Sequence, residues 1–111
     1  MSYDIWLEID TGAGTMAEVA EVGNMTSNVA PMWRKAMPDE YDGLAGLDGL
    51  RCSDVIDALR GAVDRMKAEP DAYRTMNPPN GWGDYESALE YLTNLCGLAM
   101  AHPACFIRVS R

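Results

Sequence analysis

The chain has 111 residues, 48% hydrophobic and 23% charged, the proportions of a globular protein and not of a disordered one. Seventeen Asp and Glu against nine Lys and Arg leave a formal charge of −8, with the bases scattered singly or in pairs. That field repels nucleic-acid polymers and anionic membranes, whose binding needs clustered cations.

A chain of this length buries roughly two-thirds of its unfolded surface, enough for one core and one domain over residues 1–111. The three cysteines, Cys52, Cys96 and Cys105, are an odd number and follow no apolar leader, which points to a reducing, cytoplasmic setting. No run approaches the 18 or so apolar residues of a membrane span.

Residues 3–10 alternate Tyr3, Ile5, Leu7 and Ile9 with Asp4, Trp6, Glu8 and Asp10, the period of a strand with one buried face. Trp6 is a large aromatic on the polar side, suited to an edge, a pocket or a partner chain. Asp10–Thr15 is turn-rich. Residues 16–23 fit either a short helix or a strand. A strand over 17–25 is favoured, because the first strand then gains a hairpin partner.

Gly12-Ala13-Gly14-Thr15-Met16-Ala17 matches the dinucleotide fingerprint G-x-G-x-x-A. That fold also requires a full helix and a parallel second strand, and a polar cluster follows here instead. A hairpin loop is the better reading.

Within Asn24–Asn28, Ser27 or Asn28 can cap a helix carrying Pro31 in its first turn. Its apolar stripe is Val29, Met32, Trp33, Ala36 and Met37, and Pro38 ends it. Residues 38–52 read as a compact connector, with Leu44, Leu47 and Leu50 turned onto the core. Ser53 is a candidate N-cap for a helix to about Ala68, whose stripe is Val55, Leu59, Ala62, Val63 and Met66. A short helical turn over 70–76 follows. Asp84 then caps a last helix with Tyr85, Ala88, Leu89, Leu92, Leu95, Cys96 and Ala99 inward. It stops at His102-Pro103, and residues 105–110 alternate as a final strand.

The fold expected is α+β: a three-stranded antiparallel sheet with about three helices on one face. Trp6 and Phe106, both directed away from the helices, suggest a homodimer that covers the outer face or an edge.

Chemistry is less legible. His102 is the only histidine and sits where a helix C-terminus favours a cap. Cys96, His102 and Cys105 lack zinc-ligand spacing. No nucleophile–base pair, metal set or cofactor site can be assembled from the residues, so binding is favoured over catalysis.

Two polar segments invite a ligand. Asn24, Thr26, Ser27 and Asn28 offer more amides and hydroxyls than one helix cap requires. In Asn77-Pro78-Pro79-Asn80-Gly81-Trp82-Gly83-Asp84-Tyr85, an aromatic flanked by glycines either plugs the core or stands out for stacking. The candidate site joins the two, with Asn80 and Trp82 or Tyr85 as one wall, Trp33 as a second and Arg34 as the charge. Two helix N-termini side by side would add an anion-friendly field.

Asn24–Met32, Pro70-Asp71-Ala72-Tyr73, Asn80–Tyr85, His102-Pro103 and Ile107–Arg111 together resemble a group of small uncharacterised proteins encoded by bacteriophages and bacteria. The likeness covers nearly the whole chain, and Asn-Gly-Trp-Gly is its most specific block. It implies a phage-type accessory protein acting in the host cytoplasm. By analogy, such proteins sequester small nucleotide signals of host defence or block a host protein.

Overall fold

A computed structural model describes all residues, 1–111. Strand β1 (Ser2–Asp10) is central, with β2 (Met16–Thr26) and β3 (Phe106–Ser110) antiparallel on either side. The chain is thus α+β with the expected sheet. Residues 16–23 are strand and not helix: β1 supplies a partner along the whole of β2, from Asp10 opposite Met16 to Ser2 opposite Thr26. The Gly12–Ala17 fingerprint spans the hairpin loop and the start of β2. Gly12 and Gly14 take left-handed φ there, and the Thr11 N–H donates to the Thr15 carbonyl at 3.1 Å.

The alternation along β1 is realised as far as Leu7, and Ile9, expected on the same buried face, is exposed near the hairpin end. Tyr3, Ile5 and Leu7 are buried against the helices, while Asp4 is exposed and Trp6 and Glu8 are half-buried. Trp6 and Phe106, the two aromatics expected on the outer side, are half-buried within the single chain. Trp6 Nε1 donates to Glu8 Oε1 at 2.9 Å, and the Arg51 guanidinium lies 4.9 Å from the centre of the Phe106 ring.

Helices α1 (Ala30–Ala36), α2 (Cys52–Ala68), α3 (Pro70–Arg74) and α4 (Tyr85–Ala101) complete the fold. Every residue expected on the stripes of α1 and α2 is buried. Between these two helices, Leu44 and Leu47 seat the connector on the core, as their spacing predicts. Two helix starts differ from expectation. Thr26, and not Ser27 or Asn28, accepts from the Asn28 N–H at 3.3 Å and starts a single 3-10 turn (Ser27–Val29) ahead of α1. Helix α2 begins at Cys52 without a side-chain cap. Its first N–H groups go to the carbonyls of Cys105 (from Cys52, 2.8 Å) and Pro103 (from Ser53, 2.9 Å). A neighbouring segment does the work of the cap, and local sequence cannot show that.

Helix α4 is the hub. Its Trp33-facing side carries Tyr91, which the stripe read from the sequence omits. The Tyr91 hydroxyl donates to the Gly23 carbonyl at 2.6 Å and ties α4 to β2. No helix is long and apolar enough to cross a membrane.

The two edges of the sheet are treated differently. Along β3, Gly49 N–H donates to the Ile107 carbonyl, Ile107 N–H to the Leu50 carbonyl, and Val109 N–H to Asp48 Oδ1, all within 2.9 Å. The connector thereby closes that edge, while β2 forms the other.

Candidate functional site

The loop after α3 is shaped by its own side chains. Asn80 Oδ1 accepts from the Trp82 N–H at 3.0 Å, Asn77 Oδ1 accepts from the Tyr85 N–H at 2.8 Å, and Asp84 Oδ1 caps α4 through the Ser87 N–H at 2.8 Å. Gly81 and Gly83 both have positive φ, 76° and 92°, which L side chains rarely adopt. The reversal they permit turns Trp82 outward, and its side chain is 68% exposed.

Gly83 also sets the distance to the other polar segment. A Cβ on it would sit 2.7 Å from both Thr26 Cγ2 and Val29 Cγ1. The loop backbone therefore rests directly on the end of β2 and the 3-10 turn. The two segments form one open groove of about 570 Å³, lined by Met1, Ser2, Asn24, Thr26, Ser27, Asn28, Asn80 and Trp82. Six of the nine residues named from sequence line it.

Its hydrogen-bonding capacity can be read from which atoms are already engaged. Asn80 spends its carbonyl oxygen on Trp82, so its NH₂ is left as a donor. Asn24 spends its NH₂ on Asp4 Oδ1 at 3.1 Å, so its oxygen is left as an acceptor. A carboxylate only accepts and a backbone N–H only donates, so both amide orientations follow from the partners. Asn28 engages through its backbone N–H, and its side-chain amide is exposed with both functions open. Ser27 is committed: its hydroxyl donates to the Met1 carbonyl at 3.0 Å and holds the start of β1 against the groove.

Three expected members lie elsewhere. Trp33 is fully buried. Its Nε1 donates to the Ala88 carbonyl at 3.1 Å, and its ring stacks on Tyr91 (5.6 Å) and meets Tyr3 edge-on (5.2 Å). It is no ligand wall, because position 33 falls on the inward stripe of α1 and the indole N–H finds a partner inside. Tyr85 is likewise internal, donating its hydroxyl to the Met66 carbonyl at 2.6 Å and stacking on Tyr73. Arg34 opens onto a neighbouring hollow, not the groove.

At each of the paired helix starts a side chain of the protein already engages a backbone N–H. At α4 the Asp84 carboxylate already occupies the place an anion would take, and the Ser87 N–H holds its carboxyl below the usual range. At the other start, Thr26 takes the Asn28 N–H.

Two of the three cysteines are displaced by burial toward inertness. Burial, with Cys105 nearby, pushes the Cys52 thiol up to about 11, and burial raises Cys96. Both therefore remain thiols at neutral pH, without nucleophilic character. His102 closes α4 as its C-cap.

Comparison with family models, with curated proteins and with solved structures returned no match.

Proposed function

We propose that the protein binds a small nucleotide-like molecule in the groove between Asn24–Asn28 and Asn80–Trp82, with Trp82 as the stacking surface. The observation that carries this is the exposure of Trp82 beside amides with open donors and acceptors. Leaving two-thirds of an indole in water forgoes on the order of 2–4 kcal/mol of burial. The loop nonetheless spends two left-handed glycines holding it there. A heteroaromatic base offers a flat face to Trp82 and an edge of alternating donors and acceptors to Asn24, Asn28 and Asn80. The open donor on Asn80 and open acceptor on Asn24 suit such an edge better than they suit an apolar guest.

The resemblance to small phage and bacterial proteins supports the biological side of the proposal: an accessory protein that sequesters a nucleotide signal in the host cytoplasm. Mass spectrometry of small molecules released from the purified protein identifies the ligand. Calorimetric titration with that ligand then tests the site. Trp82→Ala should weaken binding roughly ten- to hundredfold, the usual worth of one stacked base. Unchanged affinity in a folded variant would end the proposal.

A second reading, a module that docks on a host protein or on a second copy of itself, is favoured by the outer face of the sheet. There Trp6 is flanked along β1 by Asp4 and Glu8 and paired across the sheet with Glu21, and Glu8 is paired with Glu18. Sedimentation at micromolar concentration separates the two. A dimer that persists in Trp82→Ala but is lost in Trp6→Ala places the interface on the sheet.

A further inference from the structure

Beside the groove is a second hollow, of about 390 Å³, lined by Met1, Tyr3, Ser27, Ala30, Arg34 and Arg111. Arg34 comes from α1 and Arg111 follows β3, so the fold, not the sequence, brings the two guanidinium-bearing residues together. In a chain of charge −8, four of the other five arginines are engaged, and Arg60, exposed on α2, is the exception. Arg74 is paired with Asp71 and Glu86, Arg108 with Asp48, Arg65 donates to the Ala36 carbonyl, and Arg51 lies on Phe106. The side chains of Arg34 and Arg111 enter no ion pair and no hydrogen bond, and no Asp or Glu lines their hollow. Both are exposed, so neither is held there by packing.

The hollow is continuous with the Trp82 groove through two shared lining residues, Met1 and Ser27. We infer that Arg34 and Arg111 form an anion subsite for the phosphate of a ligand whose base stacks on Trp82, making the preferred ligand a nucleoside phosphate and not a free base or nucleoside. This rests on the Trp82 reading for the base and adds the phosphate independently. Guanidinium groups suit the role because their planar donors match phosphate oxygens in pairs and stay charged at any physiological pH. The two arginines also answer the electrostatic objection to a nucleotide in so acidic a protein. The net charge of the chain is negative, but the only charged side chains among the residues that line this hollow are Arg34 and Arg111.

The test is calorimetric titration of the intact protein with three probe sets: the four ribonucleoside 5′-monophosphates, the corresponding nucleosides, and inorganic pyrophosphate. Wild type is compared with Arg34→Gln/Arg111→Gln, with Trp82→Ala, and with Arg60→Gln as an exposed-arginine control, after melting curves show that each is folded. The expected result is a monophosphate that binds more tightly than its nucleoside. The double arginine variant weakens that monophosphate about ten- to hundredfold, the scale of lost charge-assisted hydrogen bonds. It leaves the nucleoside unchanged, and the control changes neither.

Other outcomes divide the two claims. A nucleoside that binds through Trp82 as tightly as its monophosphate overturns the subsite and keeps the stacking site. Pyrophosphate that binds through both arginines, with no nucleoside binding, keeps an anion site for a free phosphate ligand and overturns the stacking reading. Equal losses in the Arg60→Gln control reduce the effect to net charge and overturn the subsite. No binding by any probe overturns both.

Discussion

Trp33 and Trp82 each stand close to an Asn-containing polar segment at a helix start, yet one is sealed and the other is 68% exposed. The difference is not in the residue but in its backbone. Trp33 is on a helix, where the 3.6-residue period fixes which way a side chain points, and its indole N–H meets the Ala88 carbonyl. Trp82 is on a loop whose direction is set by Gly81 and Gly83, and nothing in that loop directs a ring inward. Burial with a satisfied N–H makes a core anchor. Exposure with a fixed backbone makes a contact surface.

The largest expected effect tests the first half of that contrast. Trp33→Ala removes a buried indole that also stacks on Tyr91, and should cost about 3–5 kcal/mol of stability, seen in a denaturant midpoint. If the midpoint hardly moves, the aromatic cluster around α4 is not the core.

Next is Gly83→Ala, which asks whether the loop's seat holds the groove together. The substitution forces a left-handed φ on alanine and places its Cβ 2.7 Å from Thr26 and Val29. About 1–3 kcal/mol should be lost. The loop should also lift from the groove's other wall, seen as altered Trp82 fluorescence and amide exchange across 77–84.

Asp84→Ala is smaller, about 1 kcal/mol for a lost N-cap, and it carries a pH signature. The folded protein holds this carboxyl below its ordinary value of about 3.9. Its contribution is therefore present above that value and lost as pH falls through the lowered folded one. Acid titration of stability should be shallower in Asp84→Ala than in wild type below about pH 4. Equal slopes would show that the cap is not felt.

Smallest is Trp82→Ala, expected to shift stability by no more than about 0.5 kcal/mol, as for a surface side chain. A larger loss would mean that Trp82 is part of the fold, and the contrast with Trp33 would collapse.

The sequence by itself determined the elements and most of their inward faces, though not Tyr91 on α4 or the exposure of Ile9. The alternation of Tyr3, Ile5 and Leu7, the stripes of α1 and α2, and that of α4 apart from the half-buried Leu89 reappear as buried side chains, because period and polarity are local properties. The polar character of Asn24–Asn28 and Asn80–Trp82 was legible for the same reason. Tertiary structure decided which aromatics remain available. Tyr85 and Trp33 follow their helical stripes inward, and Trp82 is left out. It also decided how the start of α2 is capped, by carbonyls from Pro103 and Cys105, which lie some fifty residues away in the chain. The meeting of Arg34 with Arg111 is the extreme case, since no local pattern relates α1 to the residue after β3. Their proximity exists because β3 pairs with β1 while Ser27, in the turn before α1, bonds to Met1 at the start of that same strand, an arrangement that no window of sequence contains.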